Sequence, residues 1–170
     1  MLPVQILINN FLCDSSQVTI PTDNVDEGYI QKPQRWNLKM IYRYMFVFGL
    51  ASSVFDIITF YLLYKFLAVN EAQFRKGWFM ESLATQILVV FIIRTWHVPF
   101  KESKPSKNLV ISVMLCLAAG WLVPYLPFAA LIGLQKLPSH VVLYITAIVF
   151  IYLFAAEFVK RIIYRRFVKS

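Results

Sequence analysis

The sequence predicts an all-α membrane protein, a five-helix bundle, on three observations. Hydrophobic residues make up 59% of the 170 residues and charged residues only 15%, where soluble domains carry about a quarter charged residues. The apolar residues gather into five segments, with most of the charge in the connections between them. The first segment also sets a carboxylate and three carboxamides inside an apolar helix-forming run, Leu2-Pro3-Val4-Gln5-Ile6-Leu7-Ile8-Asn9-Asn10-Phe11-Leu12-Cys13-Asp14. Such groups are costly at membrane depth and mark ion paths.

The first helix, residues 2–17, would reach only ~24 Å, less than the ~30 Å hydrocarbon core. It reads as a helix whose upstream turn is missing, so the chain is expected to be a piece of something larger. Residues 18–38 hold Pro21, Asp23, Asp26, Glu27, Pro33 and Arg35; this stretch is too polar to cross a bilayer and too long for a tight turn. The second helix is expected over 40–67, long enough to span with tilt. The third is expected over 78–93 after a short connection at 68–77, with Trp78 and Trp96 marking the two interfaces. The fourth runs over 109–126, after a connection carrying Lys101, Lys104 and Lys107. The fifth runs over 141–163 and leads into a tail with Arg161, Arg165, Arg166 and Lys169.

The basic residues set the expected orientation. Lys32, Arg35, Lys39 and Arg43 flank one connection, Arg94 joins the three lysines of another, and the tail adds its own set; the alternate connections hold only Arg75 and Lys76, then Lys136. By the positive-inside rule the heavy sets, including the C-terminus, are cytoplasmic and the chain is multi-pass in the inner (plasma) membrane. A net charge of +8 does not point to nucleic acid, because the basic residues sit at segment ends and form no continuous patch. Cys13 and Cys116 lie in different segments without a CxxC partner, and His97 and His140 have no ligand at useful spacing, so a zinc or redox site is not expected. Walker A, GxSxG and HExxH sequences are absent, as is the Asp-Lys-Thr-Gly run that a phosphorylated aspartate needs.

The candidate metal ligands are Asn10 and Asp14. Four residues apart on a helix, they share a face that Gln17 extends, and oxygen donors on one stripe suit a hard cation such as Mg2+. Asn9 and Cys13 lie close by. The competing reading makes Asp14 a solvated carboxylate at a helix end; Asn10, a turn deeper, is harder to explain that way. One carboxylate and one or two amides do not complete an octahedral site, so further ligands must come from helices outside the chain. Asp56, near Ser52, Ser53 and Thr59, reads as a packed, hydrogen-bonded acid in preference to a second ion-pathway group. Glu81 follows Trp78 by three residues and reads as an acid in a first helical turn just under the outer interface, solvated or packed between helices, or as part of an exit path or the periphery of an ion site. Glu157 is spaced for ion pairs with Lys160 and Arg161.

Pro3-Val4-Gln5-Ile6-Leu7, then Asn10, then Asp14, resembles the sixth transmembrane helix of P-type cation ATPases, in which an Asn and an Asp four residues on bind the transported ion. The resemblance implies that role for Asn10 and Asp14. Cys13 stands where the calcium pumps have a ligand threonine, which argues against a calcium site. Ser16-Gln17-Val18, Asp23-Asn24-Val25-Asp26 and Ile30-Gln31-Lys32-Pro33-Gln34-Arg35-Trp36 resemble the following loop of bacterial magnesium-transporting P-type ATPases. Ser53-Val54-Phe55-Asp56-Ile57, Gly77-Trp78-Phe79 and Ile93-Arg94-Thr95 fit the same group. The resemblance implies that residues 1–170 correspond to helices six to ten of such a pump and that the transported ion is Mg2+. It also implies that ATP acts only through upstream cytoplasmic domains absent here, as are the partner helices, so the chain alone is expected to have no ATPase activity. In the intact pump the loop at 18–38 would sit under the phosphorylation domain and relay its movement. Two alternatives stay open: a stand-alone small membrane protein that binds or regulates a full-length pump, and a small cation channel or carrier.

Overall fold

The computed structural model describes residues 1–24, 38–95, 99–100, 103–127 and 137–167, without the side chains of 39–40 and 164–167. Asp26, Glu27, Lys32, Pro33, Arg35, Trp96, His97, Lys101, Lys136 and Lys169 lie outside the described residues, as do the side chains of Lys39, Arg165 and Arg166. Within them the chain is all-helical: α1 (Pro3–Gln17), α2 (Leu38–Tyr61), α3 (Glu71–Leu88), α4 (Lys107–Leu122) and α5 (Ser139–Phe167). Short helical pieces extend α2 through Leu62–Phe66, α3 through Val90–Ile93 and α4 through Val123–Tyr125. Among the described residues four helical stretches are long and apolar enough to cross a membrane: Ile41–Phe66, Glu71–Ile93, Lys107–Tyr125 and Ser139–Ile163.

Local chemistry explains where the helices begin. Pro3 occupies the first turn of α1, where its missing N–H costs nothing, and the Gln5 side chain turns back to accept a 3.0 Å bond from the Leu2 N–H. α3 starts at Glu71, well ahead of the Trp78 start that hydropathy suggests. Asn70 Oδ1 accepts from the Gln73 N–H at 2.8 Å and Gln73 Oε1 accepts from the Asn70 N–H at 3.3 Å, a reciprocal capping box. Glu71 and Arg75 then pair at 3.0 Å across one turn. The polar stretch read as a connection is therefore mostly helix.

α3 is the hub. It packs against all four other helices; α1 also packs on α4, and α2 on α5. Phe79, Met80, Leu83, Ala84 and Ile87 of α3 are buried against Leu63, Leu109, Val113, Val141 and Ile145. The outer surface is the reverse of a soluble protein's: Met45, Phe46, Leu50, Val54 and Ile57 on α2 and Leu143, Phe150, Ile151 and Phe154 on α5 are exposed. Apolar patches of that extent need lipid or protein to cover them.

Close approach of α4 to the hub depends on Gly120. A Cβ there would lie 1.9 Å from Leu83 Cδ2 and 3.1 Å from Leu12 Cδ1. Gly120→Val forces both leucines from their positions and is expected to cost about 1–3 kcal/mol, the range for overpacked cores. Thermal unfolding in detergent checks this; an unchanged midpoint would show that α1, α3 and α4 do not meet there.

Candidate functional site

α1 has two chemically different faces. Gln5, Asn9 and Ser16 are buried against the bundle. Asn10 and Asp14 share the opposite, exposed face with Leu7, Phe11 and Val18. The spacing of four residues places Asn10 and Asp14 one above the other, as the helical period requires. Neither side chain is hydrogen-bonded or ion-paired to any described residue, so their oxygens are free to accept a ligand. Among the described residues no group of three or more His, Cys, Asp and Glu side chains is arranged to hold a metal. Two oxygen donors on one stripe do not by themselves fill an octahedral site.

Asn9, although adjacent in sequence, belongs to the other face. Its Nδ2 donates to Gln86 Oε1 of α3 at 3.2 Å, and Gln86 Nε2 donates to Ser82 Oγ at 3.0 Å. Asn9 Oδ1 is buried without a partner among the described residues. Cys13 and Gln17 contact each other, with Gln17 Nε2 donating to Cys13 Sγ at 3.3 Å. Ser112 Oγ of α4 donates to the Ser15 and Ser16 carbonyl oxygens, each at 3.2 Å, and so ties down the last turn of α1.

The other acids named by the sequence are elsewhere. Asp56 of α2 accepts a 3.3 Å bond from Trp78 Nε1 of α3, the packed and hydrogen-bonded arrangement expected. Glu81 is 1% exposed. It lies ten residues into α3, not in a first turn, because the helix begins at Glu71; the reading of Glu81 as a first-turn interfacial acid is therefore corrected. Glu157 pairs with Lys160 at 2.7 Å and with Arg161 at 3.0 Å, as the spacing predicts. Lys160 is fully buried and also donates to the Ile92 carbonyl at 3.3 Å, tying α5 to the end of α3.

A second polar centre escaped the sequence. Beyond α1, Asp23 forms a buried ion pair with Arg94 Nε, and its Oδ1 accepts the Ser106 N–H at 2.7 Å. Arg94 Nη1 donates to the Ser103 carbonyl at 3.2 Å and Nη2 to the Asn24 carbonyl at 3.1 Å. Ser106 in turn caps α4, its Oγ accepting from the Leu109 N–H at 3.2 Å. One guanidinium thus joins the segment after α1, the end of α3 and the start of α4. Its five fixed donors suit such a junction better than a lysine would. Arg94 reads in the sequence as one more interfacial cation, since its partner lies 71 residues away.

The sequence comparisons agree with this architecture. Residues 1–162 match the family model described as the cation transporting ATPase C-terminus. The chain is 42% identical to the magnesium-transporting ATPase, P-type 1, of Escherichia coli strain K12 over 98% of its own length and 19% of that protein. Two such ATPases of Salmonella typhimurium strain LT2 are 41% and 36% identical over the same shares. The chain thus spans about a fifth of the length of these curated relatives, 19% in each case. With the match covering all five helices, the chain belongs to the family of P-type cation-transporting ATPase C-terminal regions.

Proposed function

We propose that this chain supplies part of the ion site and the coupling segment of a P-type ATPase that transports Mg2+. The observation that carries the proposal is the two-faced α1. Its inner face is packed and hydrogen-bonded, whereas Asn10 and Asp14 present oxygens on a face that none of the described helices covers. Polar donors on an uncovered, otherwise apolar helix face are costly at membrane depth, and further helices with a bound ion would satisfy them. Helices upstream in the same pump complete the coordination. The ATP-driven step arises in upstream cytoplasmic domains and reaches α1 through the segment that Arg94 holds. The basic helix ends, with the C-terminus, face the cytoplasm. The relatives' names, which specify magnesium transport, support the choice of ion.

Adjacent asparagines, one buried and one exposed, provide the test. In the full-length pump that carries this segment, Asn10→Ala is expected to weaken the apparent Mg2+ affinity of ATPase stimulation by about tenfold, for one lost oxygen ligand. Asn9→Ala, which removes a packing bond to Gln86, is expected to lower thermal stability by about 1 kcal/mol and leave that affinity unchanged. Equal affinities in Asn10→Ala and wild type would remove the uncovered face from the site.

A further inference from the structure

The groove between α1 and α2 has a polar floor that the ligand stripe of α1 leaves unused. At about 100° per residue, Leu12 lies about 60° to one side of Asn9 on α1, and Asn10 and Asp14 lie about 100° and 140° to the other. Leu12 faces α4, where a Cβ on Gly120 would meet it at 3.1 Å, and Leu83 of α3 faces the same glycine. On α3, Gln86 is turned about 60° from Leu83 to meet α1, and Ser82 about 100° in the same sense. Trp78, one turn back from Ser82, donates to Asp56 of α2 at 3.3 Å. Asn10 and Asp14 therefore line one wall of a groove, α2 forms the other wall, and Ser82 and Gln86 lie on its floor.

Gln86 is joined to α1 by direct contact, since Asn9 Nδ2 donates to its Oε1 at 3.2 Å. Its own Nε2 donates to Ser82 Oγ at 3.0 Å. The two bonds orient the carboxamide, and Oε1 keeps a second lone pair. Gln86 is exposed, yet it lies seven residues inside the Ile93 end of its span, a depth of about 10 Å at 1.5 Å per residue. A carboxamide left open at that depth is costly unless a polar partner reaches it, and hydrocarbon supplies none.

We propose that Gln86 is a specificity residue of the magnesium site and holds a water that the ion retains. The inference rests on the reading of Asn10 and Asp14 as ligands. Mg2+ dehydrates reluctantly and usually keeps several waters when bound. Asn10 points about 100° round α1 from the Asn9 that Gln86 holds, so the floor is offset from the ligand stripe and meets the ion's shell one water out. A coordinated water donates an O–H to Gln86 Oε1, a link nearly as good as a direct hydrogen bond. An ion that sheds its water on binding forfeits that link, so the floor favours hydrated Mg2+. Ser82 is a positioning residue: its Oγ keeps the carboxamide from turning.

The test is the Mg2+ dependence of ATPase stimulation in the full-length pump that carries this segment. Gln86→Leu is expected to weaken the apparent affinity about fivefold, for one lost water-mediated hydrogen bond, and Ser82→Ala about twofold. Asn9→Ala breaks the same cross-helix bond but leaves Gln86 in place, and is expected to keep wild-type affinity. Wild-type affinity in both Gln86→Leu and Ser82→Ala overturns the proposal, and leaves the α1 site standing if Asp14→Asn is weakened. Wild-type affinity in Asp14→Asn as well overturns both. An Asn9→Ala loss equal to that of Gln86→Leu also overturns the proposal, because Gln86 then acts only by seating α1. A loss of about tenfold in Gln86→Leu, matching Asn10→Ala, makes Gln86 a direct ligand and removes the water from the account.

Discussion

Asp14→Asn in the full-length pump is expected to lower the apparent affinity for Mg2+ by about a hundredfold or more while leaving expression and thermal stability near wild type. The substitution conserves shape and removes one negative charge. A divalent ion at membrane depth is stabilised chiefly by the few anions that face it, and deleting one partner of a buried charge pair costs about 3–5 kcal/mol. Stability is spared for a separate reason. Asp14 lies on the exposed face of α1 and makes no hydrogen bond or ion pair with a described residue, so its loss falls in the range of about 0.5 kcal/mol typical of surface changes. Asp14→Glu keeps the charge but moves the oxygens by a methylene, and is expected to fall between the two. The measurements are the Mg2+ dependence of dephosphorylation and a thermal unfolding curve on each variant. Wild-type affinity in Asp14→Asn would leave Asp14 as a solvated carboxylate and remove the main support for an ion site on α1.

Much of the architecture is legible because hydrocarbon imposes simple rules. Five apolar runs became five helices, and α1, at 15 residues, is indeed the short one. The helical period put Asn10 and Asp14 on one face, as expected. Period alone does not say which face meets the bundle, so Asn9 stayed beside the candidate ligands until its bond to Gln86 separated them. The start of α3 was missed because the apolar run begins at Trp78, whereas the helix is set by a side-chain cap at Asn70. That error carried over to Glu81 and placed a buried acid near an interface. Local ion pairs such as Glu157 with Lys160 and Arg161 follow from spacing. Contacts between distant segments do not, which is why the partners of Arg94 were invisible.

Arg94→Ala is expected to give the largest loss of stability of any substitution away from the core, about 2–4 kcal/mol, together with uncoupled transport. Arg94 is 5% and Asp23 10% exposed at their side chains, so removing the cation leaves a buried carboxylate uncompensated. The Asn24 carbonyl loses its Arg94 donor at the same time, and the Ser103 carbonyl keeps only the Phe100 N–H. Arg94→Lys is expected to rescue little, because one ammonium cannot span an acid and two separate carbonyls in a fixed fork. Asp23→Asn should cost less, since an amide oxygen still accepts the Ser106 N–H. If the ion pair is the essential contact, the double variant Arg94→Ala/Asp23→Asn costs less than the two single changes added together, by at least about 1 kcal/mol. Hydrogen exchange supplies the local readout: the Ser106 amide, protected by Asp23 in wild type, should exchange faster in Arg94→Ala. The functional consequence follows from what the guanidinium joins. It binds the segment leaving α1 to the end of α3 and the start of α4; under the proposed function, movement begun in that segment would reach α1 through this junction. With the junction cut, phosphorylation is expected to proceed while Mg2+ no longer accelerates dephosphorylation. Additive energies in the cycle and normal Mg2+ stimulation in Arg94→Ala would together reduce the junction to a structural tie with no part in transport.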